Sequence, residues 1–124
     1  MPNTFVFVYG TLKNGFYNHS LMQDSKFIGN GLLENHAMYE YHFPVITPDK
    51  SHDVRGEIYI VTGETLENLD VIESNGYMYL RKHMNVYSDK FATNIKCHVY
   101  IGSPKFWDFT QMDKVSSNRI HEWI

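Results

Sequence analysis

The chain has 124 residues, 43% of them hydrophobic and 15% aromatic, with a formal net charge of -3. That length supports one domain around a single core. The apolar share excludes a disordered chain, and the balance of charge lacks the basic footprint of a nucleic-acid binder. No apolar run approaches a membrane span, and the start has neither the basic nor the apolar region of a secretory leader, so a cytoplasmic protein is expected. A single cysteine, Cys97, rules out an internal disulfide. The seven histidines are scattered without zinc-ligand spacing, so no metal is expected.

Phe5 to Tyr9 is an unbroken run of strand-forming residues, which reads as a strand buried on both faces because a half-exposed strand would alternate. Gly10, Thr11 and Leu12 follow as a turn whose successive amides can converge on an anion such as a carboxylate or phosphate. Gly10 and Gly15 have phosphate-loop spacing, but Phe16 and Tyr17 stand where that loop needs lysine and a hydroxyl residue. A short helix is expected between Asn18 and Gln23, with Asn18 or Ser20 as its cap. One or two strands are expected over Phe27 to Tyr41. Phe43 to Pro48 should be extended, since both prolines oppose a helix, and it should lie beside the site. Val54 to Val61 reads as a strand with Val54, Ile58 and Ile60 on one face.

Leu66, Leu69 and Ile72 recur at three-residue spacing after Gly63, predicting a helix that turns this stripe to the core and stops at Ser74-Asn75-Gly76. Asp70 and Glu73 are three apart on that helix. Like-charge repulsion and the negative end of the helix dipole should therefore both raise the Glu73 pKa. Glutamates at helix ends are ordinarily solvated, so this pattern alone does not make Glu73 catalytic. Tyr79 and Arg81 open the next strand, where Leu80, Met84 and Val86 should face inward. Tyr79 is a candidate substrate contact and Arg81 a partner for Asp70 or another carboxylate. In the last long strand Ile95, Cys97, Val99 and Ile101 share one face, which marks Cys97 as a buried structural residue rather than a nucleophile.

Four motifs in order carry a family likeness. They are Val8-Tyr9-Gly10-Thr11-Leu12-Lys13-x-Gly15 with Asn18-His19, then Gly56-Glu57-x-Tyr59, Leu69-Asp70-x-x-Glu73-Ser74, and Tyr79-x-Arg81. The chain resembles the γ-glutamylcyclotransferase-like family over about Phe5 to Ile101, and within it the γ-glutamylamine cyclotransferases and plant AIG2-like proteins. The resemblance implies an α+β fold: a small, mostly antiparallel β-barrel with short flanking helices and a cavity at one end, formed by the single domain 1–124. It implies that Glu73 is the general acid/base and that Tyr9, Gly10, Thr11 and Leu12 contact the substrate. Aromatics after Ile101, among them Trp107, Phe109 and Trp123, are expected to cover the barrel or the cavity mouth.

The chemistry implied needs no cofactor. The α-amino nitrogen of a γ-glutamyl amide lies close enough to the γ-carbonyl to close a five-membered ring, releasing an amine and 5-oxoproline, and proximity in such reactions contributes roughly 7 to 11 kcal/mol. What remains is proton transfer, which one carboxyl of raised pKa performs in both directions. The turn amides would grip either the substrate's α-carboxylate or the oxyanion at the γ-carbon. The Thr11-Leu12 turn and the short stretch between Tyr39 and Val54 favour the γ-glutamylamine branch. The alternatives are γ-glutamyl dipeptides or glutathione as substrates, or a non-catalytic module binding a small acidic ligand. The partner expected is a small-molecule γ-glutamyl substrate, without nucleic acid or membrane; oligomeric state is left open.

Overall fold

Two long strands dominate the computed structural model of the chain, which describes residues 3–16, 19–22 and 24–124. In order, the elements are β1 (Thr4–Val8), β2 (Lys26–Glu40), β3 (Pro44–Val61), α1 (Gly63–Ile72), β4 (Tyr79–Ser88), β5 (Thr93–Gly102), β6 (Asp113–Lys114) and β7 (Ile120–His121). The expected strands over 27–41 are one strand, β2. The extended stretch 43–48 and the strand 54–61 are likewise one 18-residue strand, β3. Bulges at Phe27/Gly29 and Glu34/His36 let the β2–β3 hairpin bend rather than break. No helix among the described residues is long and apolar enough to cross a membrane.

The hairpin closes a ring. β3 pairs β1, β1 pairs β5, β5 pairs β4, and β4 returns to β2, with β6 and β7 added at the outer edges. Pairing is antiparallel except at β1–β5 and β3–β7, so the mostly antiparallel, barrel-like architecture holds. Its seams are thin where β2 meets β4 at Gly31↔Ser88 and Leu32↔Tyr87, and where β1 meets β5 at Val6↔His98.

Alternate residues of β1 enter two separate cores. Phe7 packs with Ile58, Val86, Cys97 and Val99 on one face, and Val6 and Val8 with Leu66 and Leu69 of α1 on the other. This accounts for an apolar run without alternation. Ile95 and Ile101 join Cys97 and Val99 as expected, and Leu80, Met84 and Val86 also face that core. The tail covers both faces: Trp107 and Phe109 lie against the α1 side, Val115 and Trp123 against the other.

Two local expectations need correction. Ile72 ends the predicted stripe but is 48% exposed and does not join Leu66 and Leu69 in the core. Between Asn18 and Gln23 only a 3-10 turn, His19–Met22, is described. The cap candidate Asn18, and Gln23, lie outside the described residues.

Gly56 of β3 allows the end of β1 to sit where it does: a Cβ there would lie 2.4 Å from the Val8 carbonyl oxygen and 2.7 Å from Phe7 Cζ. Backbone cannot yield cheaply, so Gly56→Ala is expected to destabilise the protein by about 2 to 3 kcal/mol, measured as a lower urea midpoint with unchanged slope.

Candidate active site

Tyr9 leaves β1 still buried, and the chain turns at once, with the Lys13 amide donating to the Gly10 carbonyl at 3.0 Å. A side chain at Gly10 would stand 2.7 Å from Pro44 Cγ, so only glycine lets the turn cross the start of β3 this closely. Three contacts then pin the loop. His19 Nδ1 donates to the Leu12 carbonyl at 2.9 Å. The Asn14 amide donates to Glu57 Oε1 at 2.9 Å, and the Tyr59 hydroxyl steadies the same oxygen at 3.1 Å. Lys13, only 6% exposed, donates Nζ to the Trp123 carbonyl at 2.7 Å. Sequence reasoning missed the roles of Glu57 and Lys13. The signal for Glu57 was present in Gly56-Glu57-x-Tyr59, since residues two apart on a strand share a face; for Lys13 no local signal existed. Among the described residues the Gly10 and Leu12 amides have no acceptor, leaving two donors on the turn.

Glu73 reaches this turn from the end of α1. The helix closes with Ser74 N–H to Val71 C=O and Asn75 N–H to Asp70 C=O, a Schellman arrangement in which Ser74 takes the left-handed conformation at φ 49°. Tyr9, Tyr79 and Tyr100 lie near enough to feel the Glu73 charge, yet none of their hydroxyls serves it. Tyr9 donates to the Tyr100 carbonyl, Tyr79 to the Pro44 carbonyl at 3.1 Å, and Tyr100 to Asp70 Oδ1 at 2.6 Å. A carboxylate buried without donors is poorly solvated, and burial pushes the Glu73 pKa up to about 7.

The direction agrees with the sequence expectation, but the cause differs. Asp70 does not supply the repulsion, because its carboxylate is held by Arg81 Nε at 3.1 Å and by the Tyr100 hydroxyl. Asp70 and Arg81 are thus the structural pair expected. The same burial raises the phenol pKa values of Tyr9, Tyr79 and Tyr100, so all three stay protonated.

Tyr9, Gly10, Thr11, Leu12 and Glu73 come together around one narrow cavity, also walled by Tyr100. Tyr79 is not among its walls. It lines a second, wider groove with His42, Phe43, Ile72 and Met78, and the two spaces share Thr11 and Glu73. Among the described residues no group of three histidine, cysteine or acidic side chains is placed to hold a metal ion.

The profile of the gamma-glutamyl cyclotransferase, AIG2-like family matches residues 6–123. The chain belongs to that family. A Methanocaldococcus jannaschii protein provisionally named a gamma-glutamylcyclotransferase is 40% identical over 88 residues, 68% of this chain and 73% of its own. A Bos taurus protein named gamma-glutamylaminecyclotransferase is 35% identical over 106 residues, 77% of this chain and 63% of its own. The crystal structure of a mouse AIG2-like protein superposes with a TM-score of 0.78 at 30% identity, covering 92% of this chain and 86% of the mouse chain. The described turn and the α1 terminus are therefore parts of a cyclotransferase-family fold.

The raised pKa has a consequence for stability. Folding takes up a proton at Glu73 between its ordinary value of 4.5 and about 7, so the folded state loses stability as pH rises through that window. Glu73→Gln, neutral at every pH, should exceed the parent by about 2 to 3 kcal/mol at pH 8 and show no advantage at pH 4, read by urea unfolding at each pH.

Proposed function

We propose that this protein is a γ-glutamylamine cyclotransferase with Glu73 as its general acid/base. The observation that carries the proposal is a buried carboxyl poised near neutral pH, at the junction of a donor-bearing turn and an open groove. The glutamyl part of the substrate occupies the cavity, its α-carboxylate on the Gly10 and Leu12 amides. This orientation brings the α-nitrogen to the Glu73 carboxylate, which takes one proton from the ammonium group. The freed nitrogen attacks the γ-carbonyl carbon and forms the ring C–N bond. Glu73 then passes its proton to the departing nitrogen as the bond to that nitrogen breaks, the ring nitrogen gives its second surplus proton through the regenerated Glu73 carboxylate to the freed amine, and 5-oxoproline and an ammonium ion separate. Each proton taken is returned, so Glu73 ends the cycle as it began.

A pKa near 7 suits both halves of this cycle, because an ordinary carboxyl would be too weak a base and would hold too little acid form. The bovine relative's name and the Thr11-Leu12 turn support the γ-glutamylamine branch over γ-glutamyl dipeptides. A site meant only to bind an anion gains nothing from Glu73, which disfavours a non-catalytic reading.

Mass-spectrometric detection of 5-oxoproline from γ-glutamyl-ε-lysine tests the assignment. Glu73→Gln should lower turnover by about 10² to 10⁴-fold with the fold intact. Turnover in Glu73→Gln equal to the parent's would overturn the mechanism. Since the carboxylate form starts the reaction, kcat/KM of the parent should rise with pH through about 7. Glu57→Ala, which unpins the turn at Asn14, should raise KM about tenfold with a smaller change in kcat, and Glu57→Gln, retaining an acceptor oxygen, should recover most of the loss.

A further inference from the structure

Leu12 and Asn14 are anchored by His19 and Glu57, and Lys13 between them carries an anchor of a different kind. Its side chain is buried, and the ammonium ends on the C-terminal segment: Nζ donates to the Trp123 carbonyl at 2.7 Å, lies 3.8 Å from Glu122 Oε2 and stands 5.2 Å from the centre of the Phe16 ring. We infer that Lys13 is a positioning residue for substrate binding, a tether through which segment 120–123 holds the Gly10 and Leu12 amides where they meet a carboxylate. The inference rests on the cyclotransferase reading of the same turn, and makes that turn depend on a residue 110 positions further along the chain.

Three observations support a tether. First, the lysine is spent on one bond. A buried ammonium is costly without a partner, and among the described residues the Trp123 carbonyl is the only hydrogen-bond acceptor it meets. The Glu122 side chain is 44% exposed and its oxygen is too far for a hydrogen bond, so water screens it and it holds Lys13 weakly. A charged donor on a carbonyl makes a bond roughly twice as strong as a neutral pair. Second, the acceptor is itself fixed. Ile120 and His121 pair with β3, the His121 ring stacks on His52 at 4.2 Å, and Arg119 donates to both carboxylate oxygens of Asp53. Trp123 packs against the core inside the ring. A loose segment would follow the turn; this one is held on β3 and makes the turn follow it.

Third, neither Lys13 nor the segment lines the cavity, so their influence reaches a substrate through the main chain. Lys13 follows Leu12 directly, and its own amide closes the turn onto the Gly10 carbonyl at 3.0 Å. Glu73 is carried by the end of α1, on which none of these residues lies. Releasing the tether therefore loosens the amides that bind and spares the carboxyl that transfers protons, a loss met in binding rather than in turnover.

Two kinds of variant break the tether from opposite ends. Lys13→Met keeps the apolar stem and removes the donor, while one glycine inserted between His121 and Glu122 displaces the Trp123 carbonyl and leaves β7 whole. Kinetics with γ-glutamyl-ε-lysine and calorimetric binding of 5-oxoproline are read beside circular dichroism. Lys13→Met should raise KM and the 5-oxoproline Kd about tenfold, with kcat within about twofold of the parent. Lys13→Arg, which keeps charge and donors, should recover most of the loss, and Glu122→Gln should match the parent. The glycine insertion should raise both constants as Lys13→Met does, and the two changes combined should cost no more than either alone, because one contact is lost once. Where Lys13→Met fails to fold, the insertion carries the test on the same two constants. Parent-like KM in Lys13→Met, a loss confined to kcat, or losses that multiply in the combined variant overturns the tether and leaves the cyclotransferase standing. No turnover from the folded parent overturns both.

Discussion

Helix α1 buries Leu66 and Leu69 in one cluster with Val6 and Val8 of β1, and the position of every group at the site follows from that packing. It covers the outer face of a strand whose other face fills the ring, so β1 is held from both sides and its end is rigid. The turn that follows inherits this rigidity. The same packing directs the C-terminus of α1 toward the turn, which brings Glu73 to Gly10, Thr11 and Leu12 although the two segments are far apart in sequence. A single hydrophobic contact surface thus supplies stability and brings the candidate site together.

Glu73 is costly to bury, and its neighbours are arranged so that the cost remains. Three tyrosine hydroxyls lie around it, and each donates to another oxygen, two of them main-chain carbonyls and one the Asp70 carboxylate. Had any one of them turned to Glu73, a hydrogen bond to the charged form would have lowered its pKa toward the ordinary value. The phenols therefore act as uncharged walls. Asp70 looks from its spacing like an electrostatic partner of Glu73, but it is neutralised by Arg81 and serves to hold Tyr100.

The C-terminal segment contributes to the turn from the opposite side. β7 pairs with β3 at Asp53↔Ile120 and Val54↔His121, and fully buried His121 accepts the Met38 amide on Nδ1 at 2.9 Å while its Nε2 donates to the Ser116 carbonyl at 3.0 Å. Two residues on, the Trp123 carbonyl takes the Lys13 ammonium. The tail is thus fastened to both long strands before it meets the turn, and it gives a buried lysine its partner.

Much of this was legible in the chain itself. The unbroken apolar run of β1, the glycine that ends it, the three-residue stripe of α1 with its stop, and the alternation around Cys97 are local patterns, because strand and helix periods are set by neighbouring residues. Ordered motifs around Gly10, Gly56, Glu73 and Tyr79 identified the family and, through it, the candidate site residues. What no local pattern contains is distance between segments. Whether Ile72 would face the core or a groove, whether Asp70 would face Glu73 or Arg81, and which carbonyl would receive Lys13 depended on how the ring closes and where α1 lies across it. The same holds for the pKa of Glu73: sequence spacing predicted its direction, but only the tertiary structure decided its cause, since desolvation depends on everything packed around the carboxyl and not on its neighbours in the chain.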